Sequence, residues 1–417
     1  MLPIIFRGHS DAGFFARGVG LRPGKSPVTV LPGNQRTEDA RYACVVVLRD
    51  FPRMRRETAE KNHEWHYSQL ESDILGDMRA GRAVLVFDLS NEGPPYDPAV
   101  FLELYSWIEE NRLPPGRCIW LAQNRAVALA ATTHAGARAN LVRFAYYDYF
   151  VKVIAWMFSS SNSDNVPSTD HEAMIGRLFD ANRKEKLLLC LNATPRLPRV
   201  LTVAALHHHQ LIADSIVSFP GMQYVKRGAS LAEVLNFVGK NSSLDYLRPS
   251  IEAVASMPAL KVDAFNEQGN ALVTKIDLSL YERSFFSLVT ESDFSDGRID
   301  RVTEKTAKAY CMGHPALIVG NAHAVRFMTD LGFQDWSDVL DRSAETVLNS
   351  ASRLELVMRE VLRQASRIRS GPEAWVNGVR EVGSYNVRHA VSGKFVAECV
   401  KNMDQQVVDQ LLHSISP

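Results

Sequence analysis

Residues Ala83–Asn124 read AVLVFDLSNEGPPYDPAVFLELYSWIEENRLPPGRCIWLAQN, and their order decides the fold. AVLVFDLS is a short, nearly continuous apolar run with turn residues behind it, as in a strand buried on both faces. AVFLELYSWIEEN follows at helical spacing, and CIWLAQN is a second buried strand. Strand, helix and strand in this order make a βαβ unit and predict an open parallel sheet.

Working outward, ACVVVLRD (Ala43–Asp50) adds another strand upstream. Downstream, LVRFAYYDYFVKVIAWMF is apolar and aromatic throughout. It reads as a strand running into a buried helix, although periodicity alone does not separate the two. SSSNSDNVPSTDHEA (Ser159–Ala173) is the most polar stretch of the chain and reads as a linker. A second α/β series follows it. KLLLCLNA (Lys186–Ala193) is a strand, VLTVAALHHHQLIADS a helix, and SIVSF (Ser215–Phe219) a strand. ALVTKIDLSL, FFSLVTES and PALIVG (Pro315–Gly320) continue the strands. From Ser343 apolar residues recur at three- and four-residue intervals, and KFVAECVKNMDQQVVDQLLHSI is a last amphipathic helix.

The expected fold class is α/β, with two Rossmann-like domains facing a cleft and helices at the C-terminus. Residues 1–170 form the first domain, 171–355 the second and 356–417 the terminal helices. Those helices either cross back to brace the first domain or support a homodimer. A chain of 417 residues suits two domains of roughly 150–200 residues.

Charge and cysteine usage narrow the function classes. Lys plus Arg and Asp plus Glu are equal at 47. That balance argues against a protein gripping nucleic acid mainly through phosphates, while leaving room for a local basic groove. The five cysteines are scattered with no CxxC pair, which argues for buried thiols over a zinc site or disulfide framework. No run approaches the ~18 apolar residues of a membrane span, and MLPIIFRGHSDAG lacks a cleavage-site pattern. A cytoplasmic protein is expected. GxSxG, P-loop and Rossmann GxGxxG patterns are absent in context, which disfavours a hydrolase or phosphoryl-transfer enzyme. The glycine-rich stretch RGVGLRPGK (Arg17–Lys25) lacks the Walker spacing and a strand before it.

The functional reading comes from FFSLVTESDFSDGRIDRVTEKTAKAYCMGHPALIVGNAHAVRFMTDLGF (Phe285–Phe333). A strand ends at Thr290-Glu291, a polar loop follows, and Thr303-Glu304-Lys305-Thr306 opens a helix. Thr303 or its neighbour caps that helix, with Glu304 near the positive end of its dipole. Lys305 adds a full charge where a diphosphate would sit at the helix N-terminus. Taken alone, the tetrapeptide also reads as a plain cap with solvated charges.

The segment resembles the donor-binding part of the α-1,3-fucosyltransferase family and of related bacterial and phage glycosyltransferases. The matching parts are VTES, RVTEKTAKAY, CMGHPALIVG and the LGF that follows. A second piece, LCLNATPRLPRVLTVAAL, places Asn192 with Arg196 and Arg199 between a strand and a helix. Together they cover roughly Lys186–Asp341. The resemblance implies a GT-B glycosyltransferase, inverting and metal-independent, using a GDP-sugar such as GDP-fucose or another nucleotide sugar. Its donor site would comprise Asn192, Arg196, Arg199, Glu291, Thr303, Glu304, Lys305 and Thr306. Lys305 and one of the two arginines would replace a metal in stabilising the leaving diphosphate, and Glu304 would contact the ribose. No Asp-X-Asp metal pair is found, and His207-His208-His209 point in different directions on a helix.

The general base is expected from the first domain. Glu92 sits on the Gly/Pro-shaped loop after AVLVFDLS and resembles the loop glutamate of the fucosyltransferases. Asp88, at the strand's end, is second choice, and His9 in FRGHSDAGFF the third. The acceptor, whether a glycan, a protein or a modified nucleobase, is left open. A non-catalytic nucleotide- or glycan-binding protein on the same fold is the alternative, because it would keep the cleft and lack a working base.

Overall fold

The computed structural model describes residues 2–7, 28–30, 41–47, 56–61, 66–90, 93–159, 170–223, 228–262, 276–397 and 403–414. Two sheets organise them. The first contains β1 (Leu2–Arg7), β2 (Val28–Val30), β3 (Tyr42–Val47), β4 (Ala83–Leu89), β5 (Cys118–Ala122) and β6 (Val142–Tyr146). All neighbours are parallel, in the order β2-β1-β3-β4-β5-β6. Every residue of β4 is buried, which is why its sequence is apolar without alternation.

The crossover helix α1 (Pro98–Glu110) starts where Asp97 accepts Ala99 N at 2.9 Å and Pro98 supplies a preset first turn. Its buried face sets Phe101 4.6 Å from the Trp120 ring of β5. Strand order reverses between β1 and β3, because β2 lies on one side of β1 and β3 on the other.

The second sheet contains β7 (Lys186–Leu191), β8 (Ile216–Ser218), β9 (Ser284–Thr290) and β10 (Ala316–Val319). It is also all-parallel, in the order β10-β9-β7-β8. Helix α2 (Leu197–His208) connects β7 towards β8, and α3 (Glu304–Cys311) connects β9 to β10. The chain leaves β7 first to one side and later returns to the other. The switch point of this sheet is therefore between β7 and β9.

Two long helices, α4 (Ser350–Ser370) and α5 (Pro372–Val391), complete this unit. Trp375 packs its ring edge-on to Phe285 at 5.8 Å, joining α5 to β9. The last helix, α6 (Met403–Ser414), packs on β6, where Asp148 N donates to Met403 Sδ at 3.4 Å and Arg117 donates to Ser414 O.

The compact units are Met1–Val153 with Ala397–Pro417, and Ile154–Val396. The sequence reading divides the chain at 170/171 and 355/356 instead. The difference arises because α4 and α5 bury apolar faces in the second unit, whereas only α6 returns to the first. The polar stretch 160–169 lies outside the described residues.

Other expectations also change. The IDLSL part of the expected strand is a short helix, Leu278–Glu282, capped by Asp277 through Ser279 N at 3.0 Å; residues 271–275 lie outside the described set. β1 ends at Arg7, and Arg17–Lys25, with the residues between them, lies outside the described residues. Cys44, Cys118, Cys190 and Cys311 are buried free thiols. Among the described residues no helix is long and apolar enough to cross a membrane.

Candidate functional site

In an open parallel sheet, ligands gather at the carboxyl ends of the strands where the strand order reverses. In the second unit that place lies beyond β7 and β9. Asn192 is the first residue past β7, and Glu291 the first past β9. Thr290, the last residue of β9, donates its hydroxyl to Asn192 Oδ1 at 2.5 Å and joins the two strand ends. Asn192 is held further by its N–H to Ser218 Oγ at 2.8 Å and its amide to Cys190 Sγ at 3.4 Å.

The two arginines take different places. Arg196 is the exposed N-cap residue of α2, and its side chain makes no capping bond. Arg199, one turn in, is 3% exposed. It donates to Thr194 O at 3.1 Å and to Ser292 Oγ at 3.4 Å, so α2 and the loop after β9 meet at this guanidinium. Its Nε has no protein partner. Burial and the neighbouring Arg196 lower its pKa, with Glu304 and Glu291 opposing.

Helix α3 begins as its sequence dictates. Thr303 accepts Lys305 N at 3.4 Å, and Lys305 Nζ pairs with Glu304 Oε1 at 2.6 Å. Burial raises the Glu304 pKa, but the charge and hydrogen bond of Lys305, the Lys308 charge and a backbone hydrogen bond together outweigh it and bring the carboxyl down to about 2. Thr306 faces inward, donating its hydroxyl to Glu291 Oε1 at 2.5 Å. The Lys308 side chain, one turn on, is pushed down to about 8 by burial, against the pull of Glu304. Beside these charges is a cavity of about 80 Å³, lined among others by Leu189, Leu191, Val289, Glu304, Lys305 and Lys308. It combines apolar strand residues with a charged helix turn.

Some of the buried polar atoms without a protein partner belong to residues at this edge, and others lie elsewhere among the described residues. Arg199 Nε, Glu291 Oε2 and Asn321 Nδ2 are three such atoms, and Asn321 lies just past β10. Buried polar groups are nearly always satisfied, so each of these atoms marks a place where ordered water or a polar ligand atom completes the bonding. Nothing local in the sequence marks Asn321 or Arg353, and Lys308 and Gly320 enter only as parts of RVTEKTAKAY and CMGHPALIVG. Only Gly320, which ends an apolar strand, carries a local signal.

The first-unit candidates fare differently. Asp88 has no exposed surface, and its Oδ1 accepts Ser90 N at 3.0 Å and Ser90 Oγ at 2.6 Å, the geometry of a turn held at a strand end. Glu92 and His9 lie outside the described residues. In the histidine triplet, His207 meets Ser250 Oγ at 3.2 Å, while His208 and His209 lie 4.9 and 6.5 Å from the Tyr246 ring. No group of three or more potential metal ligands occurs among the described residues. Compared with family models, curated proteins and solved structures, the chain matches none of them.

Proposed function

We propose that this chain is a glycosyltransferase that takes its nucleotide-sugar donor at the carboxyl edge of the second sheet. The observation that carries the reading is the convergence at one switch point of two helix N-termini, the buried Arg199 guanidinium and the Glu304–Lys305 pair. Helix N-termini and fixed cations favour a diphosphate, and they favour it more as negative charge grows on a departing one. In the transfer an acceptor hydroxyl attacks the anomeric carbon, the bond to the diphosphate breaks, and a base takes the hydroxyl proton.

Arg199 and Lys305 serve the diphosphate, Glu304 the ribose, and Asn192 holds the β7 end of the site. A GT-B arrangement, inverting chemistry, metal independence and a GDP-sugar follow from the resemblance to fucosyltransferases. The base is assigned to Glu92 in preference to Asp88, whose carboxylate is engaged by Ser90.

Calorimetry and thermal shift with GDP, UDP, ADP and CDP, with and without magnesium, test the reading on wild type and Lys305→Ala. Selective stabilisation by one diphosphate, lost in the variant, supports it and names the donor to try. Silence toward all four removes it. Binding without transfer of any matching sugar favours the non-catalytic alternative.

A further inference from the structure

Glu291 continues the sheet ladder, its N–H pairing with Val319 O at 2.9 Å, so its side chain leaves the strand at a fixed point. The residue is 1% exposed and turns toward the helix that follows. Oε1 accepts Thr303 N at 3.0 Å and Thr306 Oγ1 at 2.5 Å. One carboxylate oxygen thus ties together the cap and the first turn of α3. The acceptor oxygen thereby satisfies a backbone N–H that the start of a helix leaves open.

The intervening loop is pinned as well. Ser295 donates its N–H and hydroxyl to Asn321 Oδ1 at 3.3 and 2.9 Å. Arg353, 1% exposed, donates to Ser295 O and to Gly320 O, both at 2.8 Å. Asp293 pairs with Arg301, and Asp296 accepts Ser350 N at 3.0 Å. Gly320 leaves room for the carboxylate's stem: a Cβ there would stand 2.8 Å from both Cβ and Cγ of Glu291. Any larger residue at 320 displaces the Glu291 side chain.

We infer that Glu291 is a positioning residue: it sets the first turn of α3, and with it Glu304 and Lys305, through Thr303 and Thr306, in space that Gly320 provides. This departs from the donor contact that the fucosyltransferase resemblance implies for Glu291. The consequence for ligand binding rests on the nucleotide-site reading; the consequence for the helix does not. A donor array held before the ligand arrives needs no reorganisation on binding.

The test uses the full chain and two readouts: amide exchange over Thr303–Thr306 and the calorimetric Kd for GDP. Glu291→Ala and Gly320→Ala should each speed exchange and weaken GDP by about tenfold. Glu291→Gln keeps an acceptor oxygen and should stay within about threefold of wild type on both. Unchanged exchange in Glu291→Ala overturns the inference. So does a Glu291→Gln variant that binds GDP as poorly as the alanine variant with wild-type exchange, since Glu291 would then touch the ligand. If wild type binds none of the nucleoside diphosphates, the nucleotide reading fails and the exchange arm alone decides the inference.

Discussion

Thr290 Oγ1 lies 2.5 Å from Asn192 Oδ1, so the ends of β9 and β7 are joined by a buried side-chain bond where the strand order reverses. Thr290→Val removes the donor and leaves the amide oxygen buried without it. A loss of about 1–3 kcal/mol in unfolding free energy is expected. Urea denaturation reads this as a lower midpoint at unchanged slope.

Lys305→Ala should weaken diphosphate binding about tenfold or more, with a shallower salt dependence than wild type, because a charge-assisted contact is lost. Arg199→Lys should not preserve affinity. Its guanidinium reaches Thr194 O and Ser292 Oγ from a buried position, a fork that an ammonium does not reproduce. Titration calorimetry at two salt concentrations measures both effects.

The Lys308 ammonium, brought down to about 8 by burial, lines the same cavity as Lys305. Below that pH it is charged and supports anion binding; above it the charge is lost. GDP affinity should therefore decline as pH rises through 8, and Lys308→Met should flatten the profile over pH 7–9. A wild-type profile already flat across that range would contradict a role for Lys308.

His314 is buried between two partners, with Nδ1 2.8 Å from Ser287 Oγ and Nε2 2.9 Å from Ser284 O. Burial, followed by the nearby Lys184, lowers its pKa from 6.5 to about 3. The unfolded chain takes up this proton first on acidification. The His314 contribution is thus fully present above 6.5 and is lost as pH falls toward 3. Its slope there approaches about 1.4 kcal/mol per pH unit. His314→Gln should remove about one proton from the pH dependence of unfolding between pH 4 and 6.

Glu92→Gln should abolish sugar transfer and leave GDP affinity unchanged. Asp88→Ala should act chiefly on stability, because its carboxylate holds Ser90 at the end of a fully buried strand. Transfer assays paired with thermal midpoints separate the two residues. Full transfer by Glu92→Gln would rule out Glu92 as the base.

Much of the architecture was legible because it is local. LLLC and VVV are strands since consecutive apolar side chains need two covered faces, and TEKT opens a helix since Thr303 accepts the N–H two residues on. The strand at Leu2–Arg7 and the helix at Pro372–Val391 were harder to read. The first is a short apolar run; the second mixes Asn, Gly and Ser into its turns and depends on packing of Trp375 and its neighbours for its burial.

The sequence by itself determined two parallel α/β sheets and the helix start that carries Glu304 and Lys305, because hydrophobic runs and capping act over a few residues. Only the tertiary structure decided that Arg199 rather than Arg196 is buried beside that helix, and that Glu291 turns to Thr303 and Thr306. It also returned the last helix to the first sheet. These outcomes depend on which strand ends become neighbours, and such contacts join residues far apart in the chain.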